Sequence, residues 1–141
     1  MLITPRLRND TLGAGHFGAP RGKRTHNGLD FCAAPGDVVY AVDGGVITKI
    51  GFCYGDDLRY RYTQVTTVDQ LDARYFYTTP LPGLDIGTMV SVGDPLCVVQ
   101  DIAVKHSTPG AAMKNHFHFE IKDGRGHINP VPYLKKCGVL L

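Results

Sequence analysis

Two short segments carry the residue types and spacings of metal chemistry. The first, Arg24-Thr-His26-Asn-Gly-Leu-Asp30, sets an imidazole and a carboxylate four residues apart, and in an extended chain positions i and i+4 share a face. The second, Asn115-His116-Phe117-His118-Phe119-Glu120, sets two imidazoles at i and i+2 with phenylalanines between and after them. That alternation predicts a strand with a histidine pair over an apolar underside. Two histidines and one aspartate would give Zn²⁺ three N/O donors and leave its fourth tetrahedral position open, as in catalytic rather than structural sites. The remaining histidine would be free to act as a base. A hard cation such as Ca²⁺ would need more oxygen donors than these segments supply, so Zn²⁺ is the expected cofactor. The competing reading makes His26 and His118 ordinary core histidines, which leaves the coincidence of two same-face pairs unexplained.

These segments need rigid neighbours. Seventeen Gly and nine Pro divide the chain into short apolar runs rather than long amphipathic stretches, which predicts an all-β fold. Strands are expected at 38–42, 45–50, 62–68, 74–78, 95–99 and 116–121, all rich in β-branched and aromatic residues. Asp43-Gly44-Gly45 reads as a hairpin turn joining the first two, and Asp123-Gly124 as another turn. Single helical turns are expected at 109–114 and 132–136. Residues 1–12 read as a lead-in arm and 13–141 as one domain, since 141 residues suffice for one core.

Composition narrows the function classes. A hydrophobic fraction of 43% and a charged fraction of 20% fit a folded globular chain. The net charge of +2 is too small to argue for nucleic acid, and the one basic run, Arg21-Gly-Lys-Arg24, lacks interleaved aromatics. Arg21 and Arg24 read as a solvated loop, with steering of a peptide carboxylate as the functional alternative. Cys32, Cys53, Cys97 and Cys137 form no CxxC pair and are expected as free thiols. The chain as given begins with neither a secretory signal nor a membrane span.

Taken in order, these segments resemble the lysostaphin/LytM-type zinc endopeptidases. His26-x-Gly-x-Asp30 and His116-x-His118-φ-Glu120 match the family's two ligand motifs. Asp37-Val-Val-Tyr-Ala-Val-Asp-Gly-Gly-Val-Ile47, Val92-Gly-Asp-Pro-Leu96 and Ile128-Asn-Pro-Val-Pro-Tyr-Leu134 are similar to its intervening and closing segments. The resemblance runs from about Gly13 to Leu134. It implies a compact antiparallel β-sandwich or barrel-like fold, the duplicated hybrid motif, with an open zinc groove. It also implies His26, Asp30 and His118 as zinc ligands and His116 as a catalytic residue. The implied substrate is peptidoglycan, cut in its peptide cross-links or stems. Action would then be at the bacterial envelope, either as a virion or tail component of a phage or after release by lysis.

One position departs from the family. Where active members carry a second histidine in a Tyr-x-His-Leu strand, this chain reads Arg74-Tyr-Phe-Tyr77-Thr. Tyr77 can donate a hydrogen bond to an oxyanion, but an ordinary phenol pKa near 10 makes it a poor base. A similar tyrosine occurs in the leukocyte-derived chemotaxin relatives and in phage-associated members. The alternative function is therefore a zinc-binding pseudo-peptidase, serving as a wall-binding or protein-binding module or as a phage structural component. His16, His106 and His127 could replace the missing imidazole, His106 best of the three, although each reads first as a surface loop residue. Glu120 shares the face of His116 and His118 and is expected to orient a ligand ring.

Overall fold

The computed structural model describes residues 6–139. In chain order its strands are β1 Asn9–Asp10, β2 Gly13–Ala14, β3 Pro20–Arg21, β4 Arg24–Thr25, β5 Leu29–Cys32, β6 Val38–Tyr40, β7 Gly45–Phe52, β8 Arg61–Thr67, β9 Asp72–Phe76, β10 Thr78–Pro80, β11 Met89–Val90, β12 Pro95–Val99, β13 His116–Asp123 and β14 Gly126–Ile128. Two short helices, α1 Ala103–His106 and α2 Pro130–Lys136, complete the elements. The fold is all-β and antiparallel, and its main sheet stays open rather than closing into a barrel.

That main sheet runs β11-β7-β8-β9-β13-β14, with β5 also on β13. β9 pairs with one edge of β13, while β5 and β14 share the other, β5 along His116–Phe119 and β14 along Ile121–Asp123. A second sheet, β10-β12-β6, lies beneath it. Between the two sits the core, where Phe31, Tyr75, Phe117, Phe119 and Ile121 from the main sheet meet Val39, Leu96 and Val99 from the second. Phe117 and Phe119 therefore anchor the underside of β13, and period-2 alternation turns His116, His118 and Glu120 to the other face.

The expected strands are all present within a few residues of their predicted ends, and the Asp123-Gly124 turn closes the β13–β14 hairpin. Three expectations need correction. Asp43-Gly44-Gly45 does not close a hairpin, because β6 pairs with β12 while β7 pairs with β8 and β11, so the turn carries the chain from one sheet to the other. Gly45 fits there because a Cβ would stand 2.2 Å from the Thr66 carbonyl oxygen. Residues 109–114 are not helical. Pro109 and Gly110 turn the chain between Thr108 and Ala111, which exchange both backbone hydrogen bonds, and the helix falls earlier, at α1. Finally, residues 6–12 of the expected arm are built into the structure. Arg8 N–H donates to the Asp30 carbonyl at 2.8 Å, Cys32 N–H to the Arg6 carbonyl at 2.9 Å, and β1 pairs with β2. Residues 1–5 lie outside the described residues.

The expected turn at 132–136 is α2, which starts two residues earlier because Asn129 caps it, accepting from Val131 N–H, with Pro130 at its first position. All four cysteines are free. Among the described residues no helix is long and apolar enough to cross a membrane.

Candidate metal centre and groove

β13 and β5 bring the two predicted segments together, with His118 directly opposite Asp30 in the strand register. His26 arrives differently from the extended-chain expectation. It lies in the loop between β4 and β5, and Gly28 lets that loop fold against β13, since a Cβ there would stand 2.2 Å from the Phe119 carbonyl oxygen. The outcome is a triangle of donor atoms. His26 Nε2 lies 3.0 Å from His118 Nδ1 and 3.0 Å from Asp30 Oδ1, and His118 Nδ1 lies 2.9 Å from Asp30 Oδ1. Donors about 2.0–2.1 Å from a tetrahedral Zn²⁺ stand roughly 3.3 Å apart, so the triangle is close to the size that ion needs.

The partners on the outer side of each ring strengthen this fit. His26 Nδ1 lies 3.0 Å from the His16 carbonyl oxygen, which can only accept, so the proton sits on Nδ1 and the Nε2 lone pair faces inward. His118 Nε2 lies 2.8 Å from Glu120 Oε1. Burial would raise the Glu120 pKa, but hydrogen bonds from His118 and His127 outweigh it and keep the carboxylate ionised. His118 therefore donates through Nε2 and directs Nδ1 inward. Two inward nitrogens 3.0 Å apart beside a carboxylate oxygen require a positive charge among them. Burial disfavours charge on His118, yet Asp30 and Glu120 together raise its pKa above the ordinary value. Burial likewise opposes ionisation of Asp30, and its hydrogen bonds with His118 and His26 hold it well below the usual carboxylate range. A proton or a metal ion satisfies the same demand.

The other Asp30 oxygen is held from outside. Arg21 Nη2 lies 3.3 Å from Oδ2, and Arg8 Nε lies 3.4 Å from it as an ion pair rather than an aligned hydrogen bond. Arg8 is buried, and its side chain also faces Asp10. His116 points Nδ1 at the Lys114 carbonyl, 2.8 Å away, which leaves Nε2 free at 3.8 Å from Asp30 Oδ2. Burial lowers the His116 pKa despite Asp30, so the ring is neutral near pH 7 and Nε2 can accept a proton.

Tyr77 also reaches this groove of about 390 Å³, though not as a strand residue. β9 ends at Phe76, and Tyr77 takes φ = 64°, a region that bulky L side chains rarely adopt. Its N–H donates to the Arg61 carbonyl and its carbonyl accepts from Gln100 N–H, both at 2.8 Å. Its ring stands edge-on to His116, with centroids 5.5 Å apart. Burial and the neighbouring Tyr54 push its pKa well above the ordinary phenol value, so it is a donor and not a base.

His106 lines the groove as well. His127 sits on β14 with Nε2 2.6 Å from Glu120 Oε2, while no hydrogen bond of the His16 ring is found among the described residues. Arg24 is exposed at the groove rim. Sequence reasoning missed Arg8 and Tyr54 altogether. His127 is exposed, as expected, but it stands on β14 rather than in a loop, and the Asp123-Gly124 turn sets it opposite Lys122, on the Glu120 face.

The model of peptidase family M23 matches residues 24–130, which includes both ligand segments and most of the sheet. The chain belongs to peptidase family M23. An uncharacterized protein of Mycobacterium tuberculosis is 28% identical to it over 129 residues, covering 91% of this chain and 28% of that protein. The chain thus spans less than a third of the curated relatives' length. Among solved structures it is similar to the antimicrobial peptidase lysostaphin from Staphylococcus simulans, at 21% identity and a TM-score of 0.68 over 88% of this chain and 49% of that one. It is also similar to a zinc-containing peptidase from Vibrio cholerae, at 19% identity and a TM-score of 0.61 over 89% of this chain and 36% of that one. These likenesses establish the M23 fold.

Proposed function

We propose that this M23 domain is a zinc-dependent endopeptidase that hydrolyses peptide cross-links or stems of bacterial peptidoglycan. The observation that carries the reading is the triangle of three inward lone-pair donors, His26 Nε2, Asp30 Oδ1 and His118 Nδ1, beside the free Nε2 of His116 in an open groove. A bound Zn²⁺ would acidify a water and polarise the scissile carbonyl.

The chain's own residues supply the rest. His116 Nε2 takes one proton from the attacking water and gives it to the leaving nitrogen as the C–N bond breaks; the second water proton passes from the new carboxyl group to the amine, leaving a carboxylate and an ammonium. Tyr77 O–H donates to the carbonyl oxygen as negative charge builds on it. Arg8 and Arg21 hold Asp30 Oδ2, which leaves Oδ1 facing the His26 and His118 nitrogens, where it would serve as a metal ligand. Access to the wall, as a virion component or after lysis, belongs to the same proposal.

The second reading is a zinc-binding pseudo-peptidase that uses the groove only to bind wall or protein ligands, and Tyr77 in place of a second imidazole favours it. One experiment separates the two. Zinc-reconstituted protein is mixed with purified peptidoglycan, and released amino groups are counted against His116→Ala. Release by the wild type alone supports the enzyme. Binding without release supports the pseudo-peptidase.

A further inference from the structure

A second cluster occupies the groove wall beside Tyr77. Tyr54, from the β7–β8 connection, stacks on Tyr77 with centroids 6.3 Å apart and planes 11° from parallel. Its hydroxyl donates towards the Tyr77 hydroxyl at 3.5 Å and lies 2.8 Å from His106 Nε2 at the end of α1. The three side chains come from three separate connections, and each is braced. Lys105 Nζ sits 4.7 Å above the Tyr54 ring and 3.2 Å from Asp57. The base of α1 is tied to the residue preceding His116, because Ala103 N–H donates to Asn115 Oδ1 at 2.9 Å. Tyr77 itself has a left-handed backbone, and its N–H and carbonyl are bonded to Arg61 and Gln100.

A phenol has one proton, so the direction of this chain decides whether Tyr77 has anything to offer the groove. If Tyr77 donates to Tyr54, its proton is spent. If His106 donates instead, each hydroxyl hands its own proton onward. We propose that His106 is a positioning residue that acts through Tyr54. His106 Nε2–H donates to the Tyr54 oxygen and Tyr54 O–H donates to the Tyr77 oxygen, which leaves Tyr77 O–H to point into the groove. Burial and the neighbouring Lys105 lower the His106 pKa, so one ring proton remains and its location is a definite tautomer. The use of that Tyr77 proton on a substrate oxyanion rests on the peptidase reading above. The orientation of the chain does not.

The direct test is long-range ¹H–¹⁵N correlation spectroscopy of the zinc-supplemented full chain, with His106 assigned by its loss in His106→Gln. A protonated Nε2 and a bare Nδ1 are expected, with this preference weakened in Tyr54→Phe. A bare Nε2 in the wild type overturns the proposal whatever the activity. The kinetic arm uses peptidoglycan cleavage. His106→Ala and Tyr54→Phe should lower kcat about tenfold or more with little change in KM, a smaller effect than the 10²–10³ typical of losing an oxyanion donor itself. His106→Gln, which keeps a side-chain N–H, should recover most of what His106→Ala loses. In a Tyr77→Phe background His106→Ala should cost nothing further. An equal loss with and without Tyr77 would overturn the relay. If the wild type cleaves nothing while Nε2 is protonated, the peptidase reading fails and the relay stands.

Discussion

Glu120 offers the sharpest quantitative test of how the metal centre is held. Its Oε1 accepts from His118 Nε2 at 2.8 Å, its Oε2 from His127 Nε2 at 2.6 Å, and Arg74 Nη1 lies 3.7 Å away. Glu120→Ala removes the acceptor that keeps the proton on His118 Nε2, so the ring is free to carry it on Nδ1, the atom that faces His26 Nε2 and Asp30 Oδ1. Loss of such an orienting partner typically weakens metal binding 10–100-fold, or about 1.4–2.7 kcal/mol. Glu120→Ala should lie near the upper end. Glu120→Gln keeps one accepting oxygen and should lie near the lower end. His127→Ala leaves the His118 bond intact and should shift affinity only a few-fold. Competition against a chromogenic chelator reads the zinc Kd of each variant, with thermal melting as the control for folding. Equal Kd values for wild type and a folded Glu120→Ala would refute the argument that Glu120 fixes the His118 tautomer.

Two further outcomes follow from the same geometry. Gly28→Ala should lower stability by at least about 1–3 kcal/mol and weaken zinc binding with it, because the new methyl meets the Phe119 backbone oxygen and the His118 ring; denaturant melts with and without zinc check both effects. Burial pushes the Cys53 and Cys97 thiols up to about 12, so neither should be alkylated appreciably at pH 8 in the native state, while denatured protein should label fully by intact mass.

The groove's legibility in the sequence varied with the range of the contacts that build it. His116 and His118 were readable in full because β13 is a regular strand and Phe117 and Phe119 mark its buried face. His26 and Asp30 were readable as residue types, but not as geometry. The loop that joins them depends on Gly28 meeting the backbone of β13, a contact between residues far apart in sequence. Tyr77 was placed in the right stretch, yet its left-handed backbone goes with bonds to Arg61 and Gln100, residues distant in sequence, and nothing local signals that. Arg8 was hidden for a related reason. A polar N-terminal stretch reads as an arm until its pairing with β5 is known. The helical expectation at 109–114 failed because a Pro-Gly pair starts a turn as readily as it caps a helix.

The central claim, that His26, Asp30 and His118 form a zinc centre, is tested most directly by elemental analysis of metal-supplemented protein freed of loosely bound ions. The wild type should hold about one zinc per chain, as for a three-donor catalytic site, with most of it lost in His118→Ala. A wild type without zinc, or a folded variant lacking all three side chains that retains as much as the wild type, would contradict it.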